Sequence, residues 1–229
     1  MNMKQAMLIV TLGFSSGAFA ADPGFYVGGG GGHARHSGGL VGQIEDALAR
    51  STGYELLSAD LVDDSDTAWK LFAGYRFGNG FGLEASYVDL GSVVSRYHMR
   101  VISIMQPSPD FLVDGYYDLE AWGISAFYEW EFSPTFSASM RAGMFNASQD
   151  YFQRNTTIYE YPDFSHSSDD TVPGFGLGLN WRVTPSVDLR LDHDRYQGIG
   201  KRFGFDAEDT NGRFDVGVTS LNLAVRFGR

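Results

Sequence analysis

Segments of roughly the length that a membrane-crossing strand requires, about 9–11 residues, recur along this chain with side chains alternating apolar and polar. The gaps between them alternate short and long. Lys70 to Phe77 runs into Gly78-Asn79-Gly80, and Phe81 to Tyr87 follows at once. Asn-Gly accepts positive φ and is a strong hairpin signal. Eight segments emerge: 24–32, 68–77, 81–90, 118–132, 135–146, 174–183, 186–197 and 214–227. Ser133-Pro134-Thr135 and Thr184-Pro185-Ser186 supply two more tight turns. Proline suits them because it cannot donate to a strand ladder. The other connections, 33–66, 91–117, 147–172 and 198–213, are long and polar. A soluble domain seldom carries so many long loops. A barrel with short turns on one side of a membrane and long loops on the other does.

Parity assigns the faces, because successive strand residues point to opposite sides. Trp69, Leu71, Ala73, Tyr75 and Phe77 share one face, opposite Lys70, Gly74 and Arg76. Trp122, Ile124, Ala126, Tyr128 and Trp130 oppose Glu129 and Glu131. Phe175, Leu177, Leu179 and Trp181 oppose Gly174, Gly176, Gly178, Asn180 and Arg182. The large apolar residues form one face, and glycines and charges form the other. Glycines and charges make no hydrophobic core, but they can line a narrow polar bore. The greasy face then points outward, which only lipid tolerates. Phe77, Phe81, Trp130, Phe132, Phe136, Trp181 and Phe227 gather near the short turns. They form an aromatic belt at headgroup level. The expected fold is all-β: an eight-stranded antiparallel up-and-down transmembrane β-barrel with short periplasmic turns, long extracellular loops and periplasmic termini.

Residues 1–20 read as a cleaved signal peptide, with Lys4, an apolar run from Ala6 to Phe14 and Ala18-Phe19-Ala20 at the cleavage site. The barrel would occupy 21–229. Cysteine is absent, so an exported chain must hold together through strand pairing and packing. The formal charge of −11 argues against nucleic acid. The long loops hold 17 of the 28 acidic residues and 8 of the 17 basic ones. This makes an anionic outer surface the expectation.

The inward face holds the one concentration of chemistry. Glu84, Arg141, Arg190 and Asp192 form the expected central network, joined by Lys70, Arg76 and Glu129. A bore of eight strands is barely wide enough for its own side chains. Charges there lose water and must pair. One reading is an ion-pair core that fixes strand register. The other is a gated ion path in which an arginine changes partners.

Strands four to eight resemble the transmembrane domain of outer membrane protein A and its small-barrel relatives. The resemblance rests on Gly178-Leu179-Asn180-Trp181-Arg182-Val183-Thr184-Pro185-Ser186-Val187-Asp188-Leu189-Arg190-Leu191-Asp192 and on the ending Leu221-Asn222-Leu223-Ala224-Val225-Arg226-Phe227-Gly228. Arg141-Ala142-Gly143 and Leu83-Glu84-Ala85-Ser86-Tyr87 fit the fifth and third strands. The resemblance implies an internal arginine–carboxylate network, here Arg190 with Glu84. Asn180 and Phe127 depart from it, standing where an interior glutamate and a lysine are expected, which disfavours a switching gate. No segment up to Arg229 resembles the family's peptidoglycan-binding domain, so tethering of the cell wall is not among the expectations. Phe227 resembles a displaced signal for the barrel-assembly machinery.

Weaker signals complete the reading. The glycines at 28–32 lack a following Gly-Lys-Ser/Thr and serve as room inside the barrel rather than as a phosphate loop. The sequons at Asn146 and Asn155 are read as chance. Residues 42–50 suggest a short helix, expected as surface decoration, with a plug or partner-binding element as the alternative. His33, His36 and Asp63-Asp64-Ser65-Asp66 lack the calcium-loop pattern. His193 and His166 show no acid–His–Ser arrangement. The sequence thus points to a non-enzymatic, cofactor-free, metal-free structural protein of the outer membrane. Its partners would be outer membrane lipids, the assembly machinery and host or cell-surface ligands of the loops. A narrow ion channel and an outer-leaflet lipid-modifying enzyme are the alternatives.

Overall fold

The computed structural model describes residues 23–50, 53–102, 110–155, 164–201 and 212–227. The expected leader at 1–20 and most of the 198–213 connection lie outside the described residues. In chain order the elements are β1 (Gly24–Ser37), α1 (Leu40–Arg50), β2 (Tyr54–Asp63), β3 (Ser65–Arg76), β4 (Phe81–Val101), β5 (Asp110–Glu131), β6 (Phe136–Asn155), β7 (Phe164–Thr184), β8 (Val187–Ile199) and β9 (Phe214–Phe227). Each strand pairs antiparallel with its neighbours, and β1 joins β9 to β3 while β4 joins β3 to β5. Eight strands therefore close into a ring, and no edge remains at membrane depth.

The tight turns fall where glycine, proline and asparagine place them. Asn79 accepts the Phe81 amide on its side chain, and Gly80 takes φ of 85°. Ser133 Oγ accepts the amide of Phe136 at 2.9 Å.

Alternation sets the two faces as expected. Trp122, Ile124 and Leu177 are 58%, 61% and 64% exposed, whereas Glu84 and Asp192 are 3% and 0% exposed. Trp122 and Trp130 lie eight residues apart on β5, about 26 Å of strand. At a tilt of 35–45° this is roughly 20 Å of height, close to the ~25 Å apolar band of such barrels.

Three expectations need correction. First, much of the supposed loop sequence is strand. β4, β5, β6 and β7 contain 21, 22, 20 and 21 residues, about twice the crossing requirement, so their outer halves stand above the membrane. β2 adds a ninth strand, paired with the outer half of β4 from Tyr54↔Val101 to Asp63↔Val94. Only Asp64 separates it from β3.

Second, the bore is polar only in its lower part. Above that, Val88, Leu90, Val93, Val113, Leu119, Ile199 and Val216 form an apolar core together with Tyr97, Tyr117, Tyr151 and Phe214.

Third, α1 is not surface decoration. Its Leu40, Ile44 and Leu48 are 1%, 0% and 2% exposed and belong to this core. Four-residue spacing puts the three on one helix stripe. The stripe has nowhere to go but down into the mouth of the barrel.

Gln43 pins the helix there. Its amide donates to the carbonyls of Gly38 (2.8 Å) and Arg213 (3.0 Å) and accepts the Arg213 amide (3.1 Å). Gly38 and Gly39, at φ of 127° and 65°, make the sharp turn from β1 into the helix.

Candidate functional site

The charged column inside the barrel is built by alternate residues of β3, β4, β6 and β8. Its middle tier joins three cations to three anions. Arg190 Nη1 donates to Glu84 Oε2 at 2.8 Å, and Arg190 Nη2 lies 3.2 Å from Asp192. Arg141 Nη2 donates to Asp192 at 2.5 Å, and Arg141 Nη1 lies 3.5 Å from both Glu84 and Asp194. Lys70 Nζ donates to Asp194 at 2.8 Å and lies 3.5 Å from Asp192. Neutral donors complete the carboxylates: Tyr26 OH donates to Glu84 (2.9 Å) and Asn222 to Asp192 (3.0 Å). Buried charges hold their place only when paired and hydrogen-bonded; here each carboxylate is paired, while Arg190 Nε is buried with no hydrogen-bond partner among the described residues.

Five expected residues, Glu84, Arg141, Arg190, Asp192 and Lys70, therefore meet. Arg76 and Glu129 sit one tier lower and pair with each other. Ser137 donates to Glu129, and Asn180 donates to Ser137 at 3.2 Å. Arg182–Glu131 (2.8 Å) and Arg226–Asp188 (2.7 Å) complete this lower tier. Across both tiers the cations and anions balance.

Sequence reasoning missed several parts of the column. Phe72 underlies the Arg190 guanidinium at 4.3 Å, a cation–π contact. Tyr26 packs edge-on against Phe72 and Phe127. Phe127 thus fills with a ring the place where a lysine was expected. The alternate glycines of β7 make room: a Cβ at Gly178 would lie 2.5 Å from Asp192 Oδ1, and one at Gly176 would collide with Asp194. The cavity bounded by Tyr26, Glu84, Arg190 and Phe127 is about 20 Å³, room for about one water molecule.

Outside, the belt residues Phe77, Phe81, Trp130, Phe132, Phe136, Trp181 and Phe227 are all exposed, between 41% and 59%. Phe136 stacks on Trp181 with rings 6.2 Å apart. At the opposite border Trp69 donates to Asp89 at 2.9 Å, and Tyr87 donates to Glu120. Above this border, Asp66, Asp89, Asp118, Glu120 and Asp150 surround a surface cleft of about 300 Å³. Asp66 is held below the usual carboxylate range by the Ser92 amide and hydroxyl. Asp118 is pushed above it, first by burial and then by the charges of Asp150, Asp89 and Asp66. Among the described residues no group of three or more His, Cys, Asp or Glu is placed to hold a metal ion. No described helix is long and apolar enough to cross a membrane.

Known proteins share this architecture. Neisserial surface protein A superposes with a TM-score of 0.53 at 20% identity, covering 90% of this chain and 100% of its own. The outer membrane protein OprG of Pseudomonas aeruginosa gives 0.51 at 13% identity, covering 93% and 99%. At these identities the likeness concerns the fold. No curated protein matches the sequence itself. The family profile of the OmpA-like transmembrane domain matches residues 20–229. The chain, a ring of eight strands around a charge-balanced column, therefore belongs to the OmpA-like transmembrane domain family of outer membrane β-barrels.

Proposed function

We propose that this barrel is a non-enzymatic structural component of the cell outer membrane that carries a rigid recognition surface above it. The observation that carries the reading is the sheet beyond the membrane. Strands twice the crossing length, packed on a continuous apolar core and capped by α1, hold an external surface in a fixed shape. Preorganised surfaces bind without paying to order themselves. Its acidic cleft favours a cationic partner, such as a basic patch on a host or neighbouring cell surface. Contacts with outer membrane lipids through the aromatic belt, and recognition of the closing strand at Phe227 by the assembly machinery, complete the proposed partners. Export by cleavage after Ala20 belongs to the same proposal.

The column supports the structural role. Each central carboxylate is held by more than one donor, and this fixes strand register. A narrow ion channel is the second reading, favoured by the Arg190–Glu84 pair at the centre of the bore. The filled upper core and the one-water cavity weigh against it. The lipid-modifying enzyme is weaker still: His193 lies on the outer wall and shares a hydrogen bond with the Thr219 hydroxyl at 2.9 Å, and among the described residues no carboxylate is joined to it.

Adhesion of bacteria displaying the protein to epithelial cells tests the main reading. Adhesion should fall when Asp118, Glu120 and Asp150 are replaced by their amides. Equal adhesion with and without the barrel would sink the proposal. Steady openings in planar bilayers that vanish in Arg190→Ala would replace it with the channel.

A further inference from the structure

The outer wall is not uniform around the ring. On β7 the outward positions stay apolar from Val183 to Phe175, and on β5 from Trp130 to Trp122. On β8 the run ends early. Leu191 is followed outward by His193 and Arg195, both exposed. Strand pairing carries this polar step sideways. His193 lies opposite Thr219 of β9, which lies opposite His33 of β1. Arg195 lies opposite Gly217, which lies opposite Arg35.

Four basic side chains thus frame a floor of Gly217 and Thr219. The floor is open above Gly217, where an added Cβ would meet only His193 Cε1, at 3.7 Å. Each arginine commits one nitrogen to a carboxylate, Arg195 to Asp215 at 3.1 Å and Arg35 to Asp64 at 3.8 Å. The remaining guanidinium donors are free of those pairs.

A groove of about 560 Å³ begins at this patch. It runs from His193 and Arg195 down across Phe175 and Leu177 to Ala142 and Ala126, and ends at Phe81 by the lower belt. The two alanines form its bed, where neighbouring positions carry large side chains. From β8 to β4 it crosses four strand spacings, about 19 Å of sideways path, which a tilt of 35–45° turns into a descent of about 12 Å. One leaflet of hydrocarbon is about 15 Å deep.

We infer that this face holds one anionic lipid of the outer leaflet, its phosphate over Gly217 and Thr219 between Arg35 and Arg195, and a fatty acyl chain in the alanine-bedded groove. The early polar step explains the placement. It lowers the apolar border on β8, β9 and β1, so a headgroup must sink there or leave the arginines facing hydrocarbon. Charge selects the headgroup, and the groove selects an attached chain over a free anion. The inference rests on the assignment of this barrel to the outer membrane. It is separable from that assignment, because insertion can be scored independently of lipid preference.

Native mass spectrometry of the folded mature barrel tests it, with phosphatidylglycerol, phosphatidylcholine and inorganic phosphate as probes. One phosphatidylglycerol should be retained per barrel, with about tenfold preference over phosphatidylcholine. Arg35→Gln with Arg195→Gln should abolish the preference, and the corresponding double lysine variant should restore most of it. Ala142→Trp, which fills the groove, should reduce retention of both lipids. Heat-modifiable gel migration and insertion into vesicles verify that each variant is folded. Absence of preference in the wild type, or a preference unchanged in the glutamine double variant, would overturn the inference. So would displacement of the lipid by millimolar inorganic phosphate, or a lipid-free dimer.

Discussion

The lower and upper halves of the barrel invert one another. In the lower half the outward positions of β5 are Trp130, Tyr128, Ala126, Ile124 and Trp122, and inward Glu129 and Ser125 are buried and polar. Further along the same strand, with no change of parity, outward Glu120 and Asp118 are exposed, and inward Leu119, Tyr117, Val113 and Phe111 are buried. β5 keeps its alternation across this border, while its partner β4 shifts register between Asp89 and Gly91, with Gly91 at φ of 74°. What reverses the two faces is the medium outside. Lipid accepts the greasy face and leaves charges to pair inside, while water accepts the charges and drives apolar side chains inward. The upper half is a small water-soluble core fused without a break to a membrane barrel, and α1 is the lid that completes it.

The largest expected effect is on the lower half. Asp192 joins Arg141, Arg190 and Lys70. Asp192→Ala strands buried cations and should cost about 3–5 kcal/mol, measured by urea unfolding in lipid vesicles. A loss below about 1 kcal/mol would mean the column is solvated, and the contrast between the halves would fail.

Next comes the lid. Ile44 is fully buried, and Ile44→Ala should cost about 2–4 kcal/mol. It should show first as faster proteolysis near α1, with heat-modifiable migration of the barrel preserved. Loss of both together would make the two halves one cooperative unit.

The border itself can be sharpened on one face. Ile124→Arg places a charge in hydrocarbon, at about 2–4 kcal/mol. Asp118→Arg, three outward positions along, should stay within about 0.5 kcal/mol. Equal costs would erase the border.

The smallest effect is a pH dependence. Burial and its acidic neighbours raise the Asp118 carboxyl above its ordinary range. Its contribution is therefore complete below the ordinary carboxylate pKa and is lost as pH rises through the folded value. Asp118→Asn should gain slightly on wild type at pH 7 and match it near pH 3.

The lower half was legible because lipid leaves a strong trace: large outward residues at Trp122 to Trp130, inward glycines and charges, and turn residues at Asn79, Pro134 and Pro185. The candidate column was legible for the same reason, since parity alone brings Glu84, Arg141, Arg190 and Asp192 to one face. The upper half was lost because its alternation reverses polarity at Glu120, which looks like the end of a strand when a lipid-facing pattern is sought. Leu40, Ile44 and Leu48 did carry a signal, a clean four-residue stripe. An apolar stripe implies burial but does not say against what. Tyr26 and Asn222 as partners of Glu84 and Asp192 depend on how tilted strands meet across the bore, and no local pattern in the sequence encodes that.

The inversion can be measured residue by residue, because a chain without cysteine accepts single labels cleanly. Nitroxides placed in turn along positions 111–130 of β5, in lipid vesicles, should give oxygen accessibility at outward positions 122–130. Outward 118 and 120 should be accessible to a water-soluble nickel chelate, and the inward positions should be reached by neither reagent throughout. Nickel access at inward 117 and 119 would mean an open aqueous mouth in place of a sealed core, and would contradict the account.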